Sequence, residues 1–380
     1  MQFQNPTANA IYEVIANLAK SGQWRAYSGP NLDQLRSLLG ASFGREHVRL
    51  CCSGTLGVEL ALRALKLSGE DEVLLAGYDY PGNFRAIQEA GGRVALCDVR
   101  RGGWVPTLAE IESAASECTK AIVVSHLHGD LAPMESICEW ARSRNIAVVE
   151  DACQEPGAEL SSGVAGSFGD ISVLSFGGSK VLSSGRGGAV LTNNAQFAQR
   201  MTIYCERGND SYALSEMQAA IVIPQLQALP RDNAKRRAES VKLIRGLSGF
   251  SWIKSQIALP ATGAYYKFGM SLQPNIAHAA QVQHIVQNQH GSEQSSLRVA
   301  REFVLQYLTD AGLRIGPGFH GFTKRSGSRC RKAGTLESSQ YASESTIVLS
   351  HEHLLDPNDG SSSVDEVLNV FESLNRDLGI

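Results

Sequence analysis

The fold is decided by one stretch, residues 145–193, which read NIAVVEDACQEPGAELSSGVAGSFGDISVLSFGGSKVLSSGRGGAVLTN. Three of its segments, NIAVVED (145–151), ISVLSF (171–176) and GGAVLTN (187–193), are apolar runs short enough to be single strands. A Gly- and Ser-rich turn separates the second and third runs. That arrangement predicts two neighbouring strands joined by a functional loop.

The alternation of apolar runs and helical segments extends towards the amino terminus. Residues 55–67 (TLGVELALRALKL) carry their charges on one helical face, and apolar runs occupy residues 73–77, 93–99 and 121–126. Short runs that are apolar on both faces and separated by helices indicate a mainly parallel sheet covered on both sides. The sequence therefore predicts a three-layer α/β fold with helices on both faces of a central sheet.

The length and composition fit a globular protein of two unequal domains. The chain has 380 residues, of which 43% are hydrophobic, so it can bury a substantial core. After about residue 230 the elements become shorter and less regular, with a polar stretch near 275–296. We therefore predict a large domain at residues 1–235 and a smaller α+β domain at 236–380. The net charge of −3 argues against a nucleic-acid partner.

The sequence predicts neither a targeting segment nor a membrane span. The first 20 residues lack the cationic region and apolar core of a signal peptide, and no stretch reaches the roughly 18 uncharged apolar residues of a span. The eight cysteines form no CxxC pair, which argues against a disulfide framework or a zinc site. These features predict a cytoplasmic protein with buried thiols, no bound metal and no membrane partner.

A candidate anion-binding turn precedes the helix at 55–67. Ser53, Gly54 and Thr55 form a small turn that leaves backbone N–H groups free at a helix amino terminus. The hydroxyl of Thr55 can add another bond to a phosphate. The alternative is an ordinary helix cap with Ser53 or Thr55 at the N-cap position.

A second candidate lies at the end of the run at 145–151. The carboxylate of Asp151, at the tip of a buried strand, is desolvated unless a cation meets it. A pyridinium nitrogen is such a cation, and an acid beside it keeps the ring protonated and electron-withdrawing. Gln154 lies three residues further on and can reach the phenolic oxygen of such a ring. The alternative for Asp151 is a helix cap or a structural ion pair.

The Gly- and Ser-rich turn supplies the third candidate, Lys180. Its small neighbours suit a lysine joined to a planar ligand, and a lysine amine must lose its proton before it forms an imine. Ser175, five residues earlier, can bond a phosphate. The segment is not a P-loop, because Ser179 precedes Lys180 and Val181 follows it. The alternative is a surface hairpin with a solvated lysine.

A fourth candidate is an aromatic residue that follows the run at 73–77. Tyr80, within YDYPGN (78–83), can stack on a flat cofactor. The alternative is core packing, which is the commoner fate of a single tyrosine.

Taken together, these segments resemble the DegT/DnrJ/EryC1/StrS aminotransferases, the sugar aminotransferase family of pyridoxal-phosphate (PLP) fold type I. The resemblance covers nearly the whole chain, including SGQWRAYSGPNLDQLRSLLG (21–40), CCSGTLGVELALRAL (51–65) and SEMQAAIVIPQLQAL (215–229). Its most specific part is the combination of the EDxxQ, SFxxxK and GG blocks between residues 150 and 188.

The resemblance implies a division of labour around pyridoxal 5'-phosphate. Lys180 would hold the cofactor as a Schiff base and then carry the proton between the substrate carbon and C4′ of the cofactor. Asp151 would pair with the pyridine nitrogen, Gln154 would meet the phenolic oxygen, and Tyr80 would stack on the ring. The phosphate would be held by Gly54, Thr55 and Ser175.

The resemblance also implies substrates and an assembly. Members of the family take an amino group from glutamate or glutamine and give it to a keto group on a nucleotide-linked sugar or a carbocyclic ketone. Their sites lie at a homodimer interface and are shared between subunits. The lysine at position 180 favours this function over the family's sugar dehydratases, which have histidine there. An alternative is a PLP enzyme that catalyses elimination or replacement on an amino acid.

Two departures from the family pattern concern the donor and the acceptor. Where the family has an Asn-x-Arg pair that reaches into the partner's site, this sequence has Ser211 and Ala213. Ser211 can still bond a phosphate, whereas Ala213 cannot bind a carboxylate or phosphate as an arginine would. Arg186 stands where the family has an acid, and one hypothesis is that it supplies the displaced positive charge.

The loops that contact the substrate are expected at residues 265–268 and 320–329. Within the second loop, Lys324, Arg325 and Arg329 can meet a diphosphate. The alternative is a solvated basic loop.

Overall fold

The described residues of the computed structural model are 6–206, 208–279, 282, 295–355 and 363–379. The polar stretch near 275–296 therefore lies largely outside the described residues. Within them the chain forms an eight-stranded sheet, a four-stranded sheet, a two-stranded ribbon and the surrounding helices.

Most strands are only a few residues long, as the short apolar runs predict. In chain order they are β1 (His47–Cys51), β2 (Glu72–Ala76), β3 (Arg93–Cys97), β4 (Thr119–Ser125), β5 (Ala147–Asp151), β6 (Glu159–Leu160), β7 (Gly163–Val164), β8 (Ile171–Ser175), β9 (Gly188–Thr192), β10 (Ile253–Lys254), β11 (Lys267–Leu272), β12 (Ile315–Pro317), β13 (Cys330–Lys332) and β14 (Thr346–Ser350).

The helices alternate with the strands through the first half of the chain. In chain order they are α1 (Pro6–Ser21), α2 (Pro30–Phe43), α3 (Gly54–Ala64), α4 (Pro81–Glu89), α5 (Leu108–Ala114), α6 (Met134–Ser143), α7 (Ala195–Cys205), α8 (Glu216–Leu247), α9 (Ser296–Asp310), α10 (Glu337–Ser345) and α11 (Val364–Leu378). Short 3-10 helices occupy Gln23–Arg25, Pro274–His278 and His351–Leu354. Every helix in the described part of the chain is too short or too polar to cross a membrane.

The large sheet is mainly parallel and has the strand order β1-β9-β8-β5-β4-β2-β3-β13. All neighbours from β8 to β13 are parallel, whereas β9 runs antiparallel to both β8 and β1. The strands β8 and β9 are therefore adjacent, as the sequence predicts, and Ser175 lies opposite Gly188. The loop between them carries Lys180 and begins at the edge where β5 also ends.

Both faces of the large sheet are buried. Val73 of β2 and Val149 of β5 pack in one core cluster with residues of α3 and α4. Their chain neighbours Leu74 and Val148 pack in another cluster with residues of α5 and α6. Because successive strand residues point to opposite faces, helices cover the sheet on both sides. The predicted three-layer α/β fold is confirmed.

The carboxyl-terminal part of the chain forms the smaller, antiparallel sheet, with the order β10-β11-β14-β12. This part of the chain also adds strand β13 to the large sheet, where it pairs with β3. The two sheets share one core cluster, which contains both Leu74 of β2 and Leu349 of β14. Position 235 lies inside the continuous helix α8. The division into residues 1–235 and 236–380 stays a prediction.

Candidate active site

A cavity of about 270 Å³ opens where β4, β5 and β8 end. Ligands bind at this edge of open α/β sheets because the strand ends and the following loops converge there. Seven of the eight predicted site residues line the cavity: Gly54, Thr55, Tyr80, Asp151, Gln154, Ser175 and Lys180. The structure thus brings together residues that are up to 126 positions apart in the chain, while their individual roles stay predictions.

Small residues and a helix amino terminus form one corner of the cavity. Ser53 caps α3, since its Oγ accepts a 3.1 Å hydrogen bond from the N–H of Leu56. The helix begins at Gly54, so its first N–H groups have no partner within the helix. A Cβ atom at Gly54 would lie 2.8 Å from the Cβ and 3.1 Å from the Oγ of Ser175. This corner therefore fits a phosphate held by Gly54, Thr55 and Ser175.

Asp151 presents a buried carboxylate to the cavity and is only 6% exposed. Its Oδ2 accepts a 2.9 Å hydrogen bond from Nδ2 of Asn83, and its Oδ1 accepts a 3.0 Å bond from the N–H of Cys153. Among the described residues no Lys, Arg or His side chain forms an ion pair with it. A buried carboxylate that faces a cavity and has only neutral donors fits a protonated ring nitrogen.

Gln154 and His128 form the wall beside Asp151. The Oε1 of Gln154 accepts a 3.2 Å hydrogen bond from the N–H of His128, which leaves the Gln154 amide N–H groups for a phenolic oxygen. The ring of His128 is buried, and its Nε2 lies 3.0 Å from the hydroxyl of Tyr78. Burial, followed by the charges of Lys180 and Lys267, lowers the pKa of His128 to about 3. This imidazole is therefore neutral in the physiological range.

Lys180 lies in a tight loop that the carboxyl-terminal part of the chain covers. Its N–H donates to the carbonyl of Gly177 at 3.2 Å, and its Nζ lies 4.1 Å from the centre of the Tyr266 ring. The neighbouring Ser179 is held twice, through its Oγ at 3.0 Å from the Tyr266 hydroxyl and through its carbonyl, which accepts a 3.0 Å bond from Nε2 of His351. The lysine is therefore not on a freely solvated hairpin.

Tyr80 lies at the mouth of the cavity and is 41% exposed, so core packing is not its role. Its hydroxyl lies 3.4 Å from the Oγ1 of Thr55, and its ring centre lies 5.8 Å from that of Phe319. An exposed aromatic ring above this corner is free to stack on a planar ligand.

Three predicted positions lie outside the cavity of their own chain. Ser211 is exposed, and its Oγ lies 3.5 Å from the carbonyl of Asn209. Arg186 is also exposed, while Ala213, where the family arginine is missing, does not line the cavity. Because the resemblance assigns the segment at 211–213 to a partner's site, the role of Ser211 stays a prediction.

The two expected substrate loops divide between the cavity and other surfaces. Tyr266 and Lys267 line the cavity, whereas Tyr265 and Phe268 are buried in the core. In the second region the lining residues are Pro317 and Phe319, just before the basic loop at 320–329.

Sequence reasoning missed several residues of this site. Asn83 and His128 line the cavity, and Asp79 lies directly behind Asn83. A signal was present, because Asp79 and Asn83 belong to the same YDYPGN segment as Tyr80, immediately after a buried strand. The histidine likewise follows a strand in SHLHGD (125–130).

The three-layer fold and this set of residues define a PLP-dependent transferase of fold type I. The model of the DegT/DnrJ/EryC1/StrS aminotransferase family matches residues 6–295, and the chain belongs to this family. The predicted family, the aminotransferase class and PLP as the cofactor are confirmed.

Individual relatives are moderately similar. The chain is 28% identical over 295 residues to an L-glutamine:2-deoxy-scyllo-inosose aminotransferase of Streptoalloteichus tenebrarius, covering 70% of this chain and 69% of the relative. It is 30% identical over 234 residues to a GDP-perosamine synthase of Escherichia coli O157:H7, covering 58% of this chain and 64% of the relative. The solved structure of an aminotransferase from Psychrobacter cryohalolentis has a TM-score of 0.81 at 20% identity, covering 100% of this chain and 98% of that one.

Proposed function

We propose that the protein transfers an amino group from glutamine or glutamate to the keto group of a sugar or of a related carbocyclic ketone. The observation that carries the proposal is that Lys180, Asp151 and Gln154 line one cavity, one corner of which is suited to a phosphate. The names of the relatives support the choice of substrates, since one is an L-glutamine:2-deoxy-scyllo-inosose aminotransferase and the other is a GDP-perosamine synthase.

When bound, PLP supplies an electron sink and a carrier for the amino group. The protein's part is to hold and orient it and to move protons. In this proposal the carboxylate of Asp151 would keep the ring nitrogen protonated, and the amide of Gln154 would donate to the phenolic oxygen. Lys180 lines the same cavity, and its Nζ atom would both hold the cofactor and move a proton at the reacting carbon.

Lys267 is proposed to bind the carboxylate of the amino donor. Its ammonium group lies 5.2 Å from the centre of the same Tyr266 ring that Lys180 contacts. It lines the cavity and forms no ion pair within the described parts of the chain. Because the family arginine is replaced by Ala213 and the side chain of Arg186 lies outside this cavity, we propose that Lys267 takes the role of that arginine.

We also propose that the protein works as a homodimer with shared sites. Four large apolar side chains of the amino-terminal segment are exposed: Tyr12, Ile15, Trp24 and Tyr27, the last at 98%. Several large exposed apolar side chains in one short segment favour a surface that another subunit covers. If the site is shared, activity per subunit should fall when the enzyme is diluted until it is monomeric, and constant specific activity in the monomer would contradict the shared site.

The decisive experiment combines cofactor labelling with both half-reactions. Holoenzyme reduced with borohydride should carry a pyridoxyl group on the peptide that contains Lys180, and Lys180→Ala should lose this label. Mixed with L-glutamine or L-glutamate, holoenzyme should release the keto acid, and it should then aminate a keto acceptor such as 2-deoxy-scyllo-inosose. The result would favour elimination if the labelled enzyme released ammonia and pyruvate-like products from amino acids and the amino group of the amino acid never stayed on the cofactor.

A further inference from the structure

Four buried polar side chains form a group that extends from the cavity wall into the protein: Asp79, Asn83, Ser125 and Asp151. The amide nitrogen Nδ2 of Asn83 lies 2.9 Å from Oδ2 of Asp151, 3.1 Å from Oδ1 of Asp79 and 3.1 Å from Oγ of Ser125. The hydroxyl of Ser125 donates to the carboxyl group of Asp79, whose two oxygens lie 2.8 and 2.9 Å away. One amide therefore joins two acids.

The two acids differ in what they face. Asp151 and Asn83 line the cavity, whereas Asp79 and Ser125 do not. Asp79 is 1% exposed and Asn83 is 0% exposed, so water does not hydrate either side chain. Among the described residues neither acid forms an ion pair with a Lys, Arg or His side chain. The group thus has an inner end, Asp79, and an outer end, Asp151.

We infer that Asn83 is the positioning residue that aims the carboxylate of Asp151 at the cofactor ring, and that Asp79 is a second, protonated acid that anchors Asn83 from behind. The inference rests on the proposed cofactor chemistry and gives roles to Asn83 and Asp79, neither of which was among the residues predicted from the sequence. The amide hydrogens of Asn83 fix where Asp151 lies, while Ser125 and the N–H of Tyr80, 2.5 Å from Oδ1 of Asp79, fix the anchor.

Charge explains why one acid must keep its proton. Two carboxylates that share a buried donor cannot both be ionised without a large repulsion. Burial, followed by the charge of Asp151, raises the pKa of Asp79 to about 8. The other titratable groups of the described residues that face Asp79 are Cys97 of β3 and the neighbouring Tyr78, and burial raises the pKa of both. Asp151 is therefore the acid that remains to meet a cationic ring.

The inference makes two separable predictions for variants. Asn83→Ala should weaken PLP binding and lower kcat, each by roughly 10- to 100-fold, as when a residue that orients a ligand is removed. Asp79→Asn keeps the shape of the anchor but cannot titrate, so it should reduce PLP affinity and kcat at pH 7 by less than Asn83→Ala does. The dissociation constant of PLP in the wild-type protein should show an inflection near pH 8 that Asp79→Asn lacks.

The measurements start from the apo form of the full chain. Equilibrium dialysis with PLP gives the dissociation constant from pH 6 to 9, and the melting temperature without PLP reports folding. Asn233→Ala is the matched control, because Asn233 is an equally buried asparagine whose Nδ2 bonds the carbonyl of Pro156 at 3.1 Å, outside the cavity. It should lower the melting temperature without moving the inflection.

Three results would overturn the inference. The first is an unchanged PLP affinity in Asn83→Ala. The second is an inflection in the dissociation constant of PLP near pH 8 that persists in Asp79→Asn, and the third is the loss of that inflection in Asn233→Ala as well as in Asp79→Asn. If Asn83→Ala does not fold, Ser125→Ala is the second test, because it removes one anchor bond and should shift the inflection. Failure of the proposed function looks different, since wild-type protein would then bind PLP with the predicted pH dependence but aminate no keto acceptor.

Discussion

The amine nitrogen of Lys180 lies 4.1 Å from the centre of the Tyr266 ring, although the two residues are 86 positions apart in the chain. The same tyrosine places its hydroxyl 3.0 Å from the Oγ of Ser179. The carboxyl-terminal part of the chain therefore contacts the amine of Lys180 from one side, while the sheet holds the loop of Lys180 from the other. An aromatic face attracts the ammonium form of lysine.

This relationship predicts the effect of removing the ring. Tyr266→Ala should lower kcat by roughly 3- to 30-fold, the range expected for a lost cation–π contact, with a smaller change in the KM of the donor. Tyr266→Phe keeps the ring and loses only the contact with Ser179, so it should be closer to wild type. Single-turnover rates with L-glutamine for both variants check this, and equal losses in the two would contradict the role of the ring.

Lys267 is predicted to select donors by their carboxylate. Lys267→Gln should raise the KM for L-glutamine by about 10- to 100-fold, because a hydrogen bond between charged groups contributes about 1.5–3 kcal/mol. Lys267→Arg keeps the positive charge and should raise the KM for L-glutamine less than Lys267→Gln does. The α-amide of glutamine has no carboxylate, so the wild-type preference for glutamine over the amide should shrink in Lys267→Gln.

The control for this prediction is Lys324→Gln in the basic loop outside the cavity. It should leave the KM of the donor unchanged, whatever it does to the acceptor. If Lys267→Gln alters only the KM of the acceptor, the lysine meets a substrate phosphate and its assignment to the donor is wrong.

The ion pair between Arg331 and Glu72 is predicted to fasten β13 to the large sheet. The Nε and Nη2 atoms of Arg331 lie 2.8 and 2.7 Å from the two carboxylate oxygens of Glu72. Arg331→Lys cannot form both bonds and should lower the free energy of unfolding by about 1–2 kcal/mol. Arg101→Lys, at an exposed position, should change it by less than about 0.5 kcal/mol.

The same pair has a defined pH dependence. Hydrogen bonding to Arg331, the largest cause, lowers the pKa of Glu72 below its usual 4.5. The folded form of this carboxylate thus holds its proton less tightly than the unfolded form, so its contribution is complete above pH 4.5 and is lost as the pH falls below it. Urea unfolding at pH 7 and pH 3.5 should show a smaller difference between wild type and Arg331→Lys at the lower pH.

Much of the fold and most of the site could be predicted from the sequence, because both depend on patterns that are local in the chain. The apolar runs predict the strands, and Asp151 at the end of β5, Ser175 at the end of β8 and Lys180 in the loop after β8 must then lie near one edge of the parallel sheet. The predicted boundary at 235 follows the change to shorter and less regular elements after about residue 230. The long-range packing of α8 and the pairing of β13 with β3 depend on tertiary contacts that no local pattern records.

The inner part of the site was hidden for a similar reason. Asn83 looks like an ordinary residue in the first turn of α4, and only the structure places its amide between Asp79 and Asp151. Tyr266 was expected in a substrate loop, yet its contact with Lys180 joins segments that are 86 positions apart in the chain. Whether a buried acid is charged also depends on neighbours that are distant in sequence.

A last prediction concerns Glu155, which connects the sheet edge to the segment that leads to Tyr266. Its Oε1 accepts the N–H of Gly129 at 2.8 Å, and its Oε2 accepts those of Ala264 and Tyr265 at 2.7 and 2.9 Å. Burial raises the pKa of Glu155 from 4.5 to about 7, while these hydrogen bonds oppose the rise. Between these two values the folded protein binds more protons than the unfolded chain, so the free energy of unfolding should fall as the pH rises from about 4.5 to 7.

Glu155→Gln should remove this dependence and destabilise the protein, since its NH₂ group would face backbone donors in place of an acceptor. We expect Glu155→Gln to lower the free energy of unfolding by about 1–3 kcal/mol at pH 5. The decrease should be smaller at pH 8, because the wild-type protein is itself destabilised there by the ionised carboxylate in a buried site. Urea unfolding at both pH values measures the difference, with Glu112→Gln on the exposed face of α5 as the control. A loss that is the same at both pH values would mean that Glu155 does not titrate between them, and its three hydrogen bonds would then act with a fixed charge.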